Sequence, residues 1–182
     1  TSAMTELVLC LLNEGHRHIE YLAGSLDAGS GKKRLQGFYQ AFSDLGIPCQ
    51  ESWIHPSTYS STDGYRIVQT ILSRPRAQWP SAIVTSNNRL SMGALKSISE
   101  HQLQIPDDIA FGGYDQLEIM EFLSGNLTLL EKDNAEIGRL AMQMLYEHMN
   151  ETTISQQRSV IIHPHLMIRG SEKFPINWKY GA

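Results

Sequence analysis

Four short, mostly apolar runs, each set between segments of helical spacing, constrain this chain more than any other feature. They are HIEYLAG (18–24), SAIVTS (81–86), IAFGGY (109–114) and LTLLE (127–131). Runs of this length are strands rather than helices, and near-continuous hydrophobicity marks strands buried on both faces. Strands alternating with helices predict an α/β fold, a parallel sheet with helices on both faces. Ligands of such sheets sit outside the carboxyl ends of the strands.

The intervening periods place the helices. Residues 2–14 carry Leu7, Cys10 and Leu11 on one face and stop at Gly15. Residues 31–45 carry Leu35, Phe38, Phe42 and Leu45, closed by Gly46. CQESWIH (49–55) reads as a polar strand near an edge. Ser61-Thr62-Asp63 opens a helix with Ile67, Val68, Ile71 and Leu72 inward, ended by Pro75. Asn88 is expected to cap a helix running to about His101. After IAFGGY a short helix should reach about Leu123. Asp133 to Glu136 resembles a capping box, opening a helix to about Met149 with Ile137, Leu140, Ala141, Met144 and Leu145 inward. SVIIHPHLMIRG (159–170) is an extended segment interrupted by Pro164, and the last dozen residues have no period: a docked tail or vector residue.

Composition narrows the function. The 182 residues suit one domain or two small lobes. A formal net charge of -4 is no nucleic-acid footprint, so any DNA-reading part lies outside this chain. Cys10 and Cys49 are too few for a disulfide framework and read as buried or half-buried thiols in a reducing compartment. No run is long enough to span a membrane, and the N-terminus lacks a basic stretch of signal-peptide type.

Three strands end in polar residues. HIEYLAG leads into Ser25 to Arg34, SAIVTS into Asn87-Asn88-Arg89, and IAFGGY into Asp115-Gln116. Singly these are caps and turns. Together at one sheet edge, a carboxylate, amides and a guanidinium match a ligand rich in hydroxyls or anionic oxygens. GSGKK is not a nucleotide-binding phosphate loop: Leu26 and Lys33 stand where that pattern needs Gly and Ser or Thr. His16 with His18, and His163 with His165, come without a ligand set for zinc and are expected at the surface or in turns. No nucleophile elbow or acid–base pair at motif spacing is present, and no cofactor is implied.

Four stretches resemble the LacI/GalR family of bacterial transcription regulators. They are GHRHIEYLAGSLDAGSGKKRLQGFYQAFSDLGIP, AIVTSNNRLSMGAL, HQLQIPDDIAFGGYDQ and LTLLEKDNAEIGRLAMQML, in family order over about residues 1–170. The resemblance implies a Rossmann-like lobe of a periplasmic-binding-protein-like fold. It implies a cytoplasmic, non-enzymatic sensor of a sugar or nucleobase effector held between two lobes. Dimers or tetramers are usual, and a helix-turn-helix headpiece reads the operator DNA. It places residues 1–131 in the C-terminal lobe, 132–152 in a helix of the other lobe, 153–170 in a return strand and 171–182 in a tail. The headpiece and most of the first lobe would then lie outside this chain. A transport-type sugar-binding protein, or less readily a sugar-handling enzyme, are the alternatives.

Position by position, the resemblance puts ligand contacts at Arg34, Asn87 and Asp115, an aromatic contact at Tyr59 and a polar one at Ser30. Asn88 and Gln116 replace family acids, and Lys132 replaces a family Gln, so Lys132 joins the candidate set. With Lys32 and Lys33 these departures point toward an anionic effector such as a phosphorylated sugar.

Overall fold

The structure, a computed structural model, describes residues 2–27, 29–116, 126–150 and 158–178. Helix α1 (Ala3–Asn13) is followed by strand β1 (Ile19–Leu22) and α2 (Gly29–Asp44), which starts two residues before the spacing predicts. Then come β2 (Ile54–His55), α3 (Ser61–Leu72), β3 (Ala82–Thr85), α4 (Asn88–Glu100) and β4 (Ala110–Tyr114). Strand β5 (Thr128–Glu131), α5 (Asn134–Asn150) and β6 (His165–Met167) complete the order. The short helix expected up to Leu123 lies outside the described residues.

The six strands run β2-β1-β3-β4-β5-β6. The first five are parallel and β6 pairs antiparallel with β5. The order reverses beside β1, which creates a crevice at the carboxyl ends of β1 and β3. Alternate side chains serve opposite faces. Tyr21, Val84, Ala110 and Leu130 pack under α1 and α2 with Leu7, Leu11, Phe38 and Phe42. Leu22, Ile83, Phe111 and Leu129 pack under α3 and α4 with Val68, Ile71, Leu90 and Ala94.

Three local expectations are corrected. The strand expected over 49–55 is a 3-10 turn at Glu51–Trp53 with only Ile54–His55 in the sheet. It is an edge strand, as expected, and its polar start has one neighbour at most to pair with. The cap of α4 is Asn87, whose Oδ1 accepts the Leu90 N–H at 2.9 Å, and Asn88 is the first helical residue. At α5, Asp133 Oδ1 accepts the Glu136 N–H at 2.8 Å, but the Glu136 carboxylate turns to Arg139 instead of closing the box.

Helix α5 departs most from the reading of its period. None of its residues is buried. Ile137, Ala141 and Leu145 are exposed, Leu140 and Met144 only half-buried, and Tyr146 and Met149 are 70% and 75% exposed. The apolar stripe is there, but nothing among the described residues buries it.

The histidines also differ from expectation. His16 is fully buried, hydrogen-bonded to Ser81 Oγ (2.8 Å) and the Glu172 carbonyl (2.9 Å), with the Phe174 ring 5.0 Å away. His18 is half-buried. His163 and His165 are exposed, as expected. The tail docks: Ser171 Oγ donates to the Phe111 carbonyl (2.6 Å) and accepts from the Thr128 N–H (2.8 Å). Glu172 accepts from the Thr128 hydroxyl and from the Gly170 N–H.

Helices α3 and α4 touch through glycines. A Cβ on Gly93 would sit 1.9 Å from the Ser61 carbonyl oxygen and 2.6 Å from the Tyr65 nitrogen. Both obstacles are backbone, so relief requires the helices to part. Gly93→Ala is expected to cost about 2 kcal/mol in urea unfolding, as overpacked contacts do. Gly138→Ala in α5, where a Cβ meets nothing within 4 Å, is the control and should stabilise by up to about 1 kcal/mol.

Candidate functional site

The carboxyl edge of the sheet gathers the charged groups. Arg34, from the second turn of α2, leans across it. Its Nη1 donates to the Ser86 carbonyl beyond β3 at 2.6 Å. Its guanidinium carbon stands 3.9 Å from the centroid of the Tyr114 ring, a cation–π stack at the end of β4. Asp115 follows with φ of 76°, a left-handed conformation unusual for a residue with a side chain. The turn keeps register, because the Asp115 N–H still donates to the Leu130 carbonyl at 2.8 Å. Its carboxylate faces Lys132, with Nζ 2.7 Å from Oδ1.

The next residue pair repeats this link. Gln116 Nε2 donates to Glu131 Oε2 at 3.0 Å, and Arg169 from beyond β6 holds the other Glu131 oxygen at 2.6 Å. Two successive residues after β4 are therefore tied to the last residue of β5 and the first after it.

Tyr59 lies in the loop after β2, also at positive φ (64°). Its ring covers Gly24 so closely that a Cβ there would lie 1.7 Å from a ring carbon. Gly24 is thus a platform for Tyr59. Asn87 Nδ2 reaches the Tyr59 carbonyl at 3.5 Å while its Oδ1 is spent on the α4 cap. The hydroxyls of Tyr21, Tyr59 and Ser86 are buried and without a hydrogen-bond partner among the described residues. Burial pushes the Tyr21 phenol above its ordinary range, against the opposing pull of the Arg34 charge.

Of the six candidates, Arg34, Asp115 and Lys132 meet around Tyr114, and the Lys132 Nζ lies 5.9 Å from that ring's centroid. Asn87 and Tyr59 touch one another, and Asn87 adjoins the residue that anchors Arg34. Ser30, in the first turn of α2, is exposed and tied to none of them by a hydrogen bond among the described residues. Sequence reasoning missed Tyr114, Ser86 and Gly24. The signal for Tyr114 was its place directly before Asp115 at a strand end. Gly24 and the Ser86 carbonyl give none, because each acts through backbone. A groove of about 830 Å³ lined by Tyr65, Arg89, Met92 and Lys96 lies elsewhere, along α3 and α4, and holds none of the six. Convergent charge marks the carboxyl edge.

Chemically the edge offers two cations, one carboxylate, an amide and aromatic rings. That set binds and orients a polar ligand. The unpartnered hydroxyls have no base within hydrogen-bonding reach among the described residues.

Residues 8–172 match the model of the periplasmic binding protein-like domain. The chain belongs to that family. The HTH-type transcriptional repressor PurR of Pasteurella multocida is 33% identical over 164 residues, 90% of this chain and 48% of its own length. The ribose operon repressor of Escherichia coli K12 is 30% identical over 161 residues, 88% of this chain and 48% of its own length. Among solved structures, a LacI-family regulatory protein from Chloroflexus aggregans superposes with TM-score 0.81 at 28% identity, over 94% of this chain and 60% of that one. The Escherichia coli repressor ascG superposes with TM-score 0.76 at 25% identity, over 92% and 60%. The LacI/GalR resemblance in the motifs therefore holds across the fold. The chain spans about half the length of the curated relatives it matches. Among the described residues no helix is long and apolar enough to cross a membrane.

Proposed function

We propose that this chain is the effector-sensing region of a LacI-type transcriptional regulator. A small hydroxylated or phosphorylated ligand, of the sugar class, binds at the carboxyl edge. A second lobe closes over it, and the change in lobe angle governs operator binding by a DNA-reading headpiece. Residues up to Glu131 form the C-terminal lobe, α5 belongs to the other lobe, and the segment through β6 returns. The uncovered stripe of α5 supports that division, since its apolar face needs a partner surface. A cytoplasmic homo-oligomer without enzymatic activity follows from the same reading.

One observation carries it: Arg34, Asp115 and Lys132 converge at the carboxyl edge of a periplasmic binding protein-like fold. Ligand groups there would receive charge-assisted hydrogen bonds from Arg34, aided by Asn87, with Tyr59 as a flat apolar wall. Thermal-shift screening of the two-lobed protein against sugars and sugar phosphates should find a stabilising ligand. Arg34→Ala should weaken that ligand by about 2 kcal/mol, roughly 30-fold in Kd. An unchanged shift in Arg34→Ala would remove the carboxyl edge as the effector site.

A further inference from the structure

We propose that Lys132 sets the charge class of the effector: at rest it is the counter-ion of Asp115, and with ligand it is the partner of an anionic group. This rests on the effector-binding reading above. Two residues that stand out from the family pattern explain one another in the structure. Lys132 pairs with Asp115 at 2.7 Å, and Gln116 donates to Glu131 at 3.0 Å. A carboxylate in place of Gln116 would face Glu131 directly. The neutral amide turns that repulsion into a hydrogen bond, and the two pairs together clasp the ends of β4 and β5.

Charge counting gives the clasp its consequence. Glu131 is engaged by Arg169 at 2.6 Å, so it does not offset the cations of the edge. Asp115 is engaged by Lys132. Arg34 has the Ser86 carbonyl and the Tyr114 ring, and no carboxylate partner among the described residues. Among these described groups the floor therefore carries one cation in excess. Both cations address the same ring, at 3.9 and 5.9 Å from its centroid, so they lie within the span of one small ligand. A lobe closing over them removes water from this excess charge, which is unfavourable unless an opposite charge enters with the ligand. A carboxylate or phosphate supplies it. Lys132 then turns to the anion, and Asp115 is freed to accept from a ligand hydroxyl. The Asp115 main chain is held by its N–H bond to the Leu130 carbonyl and its side chain is short, whereas the Lys132 ammonium ends a long flexible stem, so Lys132 is the group that exchanges. A neutral polyol leaves Arg34 uncompensated and has to share Asp115 with Lys132.

The test is titration calorimetry of the intact two-lobed protein with inorganic phosphate, D-ribose 5-phosphate and D-ribose. The wild type should favour the phosphorylated over the neutral sugar by about tenfold or more. Lys132→Gln should lose that preference by about tenfold, and Lys132→Arg should restore it. Lys132 is half-exposed, so the variants should fold, and their melting without ligand measures the loss of the clasp separately from the loss of anion preference. Neutral ribose binding the wild type better than its phosphate, or an unchanged preference in Lys132→Gln, overturns the inference and leaves effector sensing standing. Silence of all three probes in every variant counts against both.

Discussion

Arg74→Ala is expected to lower stability by about 3 kcal/mol at neutral pH and to move the acid limb of the stability profile upward. Glu20, in the middle of β1, is fully buried. Arg74 Nη1 lies 2.5 Å from one carboxylate oxygen, His55 Nε2 2.6 Å from the other and His18 Nε2 3.3 Å from the first. Trp53 stacks on His18, with ring centroids 4.7 Å apart. Burial alone would raise the carboxyl pKa, but the close approach of His18, the hydrogen bond with His55 and the charges of His55 and Arg74 hold it at about 2, against an ordinary 4.5. A depressed folded value means the contribution is complete above 4.5 and disappears as pH falls toward 2. Over that window the linkage amounts to roughly 3 kcal/mol. Urea unfolding at pH 7, 4 and 2.5 checks it. Glu20→Gln should flatten the profile in the same window, and a wild-type profile in Arg74→Ala would deny the cluster an anchoring role.

Much of the fold was legible because it is written in local periods. Leu7 and Leu11, Phe38 and Phe42, Ile67 and Ile71 all face the sheet, as their spacing predicts. The apolar runs became the four inner strands of the parallel sheet, with Gly112 and Gly113 as close-packing positions. A Cβ on Gly112 would approach Leu7 to 3.0 Å, and one on Gly113 would approach Leu129 to 2.7 Å. What stayed hidden was not local. Glu20 reads as a polar residue in a strand, and its neutralising partners come from β2, the turn after α3 and the residue just before its own strand. The period of α5 marked an apolar face correctly, but period says which side chains share a face, not what lies opposite. The cap of α4 moved by one residue because Asn87 and Asn88 are equally good capping residues, and only the extended backbone at Asn87 separates them.

The site divides along the same line. Arg34, Asn87 and Asp115 stand at strand or helix ends, where the α/β rule alone directs attention. Lys132 stood out only as a departure from a family pattern, and its contact with Asp115 joins two strands and is not written in local sequence. Asn87 carries two duties. Its carbonyl oxygen caps α4, so only its amide nitrogen remains for a ligand, a restriction invisible in the string SNN.

His16 gives the second large effect, in a different pH window. Only a donor can face the Glu172 carbonyl, so Nε2 carries the proton and Nδ1 accepts from Ser81. The ring is neutral and clamps the C-terminal segment to the loop after α1. Burial lowers its pKa from 6.5 to about 4, against the raising pull of the Glu172 and Lys173 backbone hydrogen bonds. The unfolded chain therefore takes up a proton first as pH falls. This contribution is whole above 6.5 and is lost on the way down to about 4, roughly 3 kcal/mol in all. Acid unfolding should accordingly show two limbs, the first from His16 and the second, lower one from Glu20. His16→Ala leaves the Glu172 carbonyl without its side-chain donor and opens a cavity beside Phe174, at an expected cost of about 3 kcal/mol at pH 7. It should also erase the first limb while leaving the second in place. Amide exchange resolves the location: protection should fall at Phe111 and Thr128, whose N–H groups bond to Ser171. If both limbs survive in His16→Ala, the clamp is not what holds the C-terminal segment against the sheet.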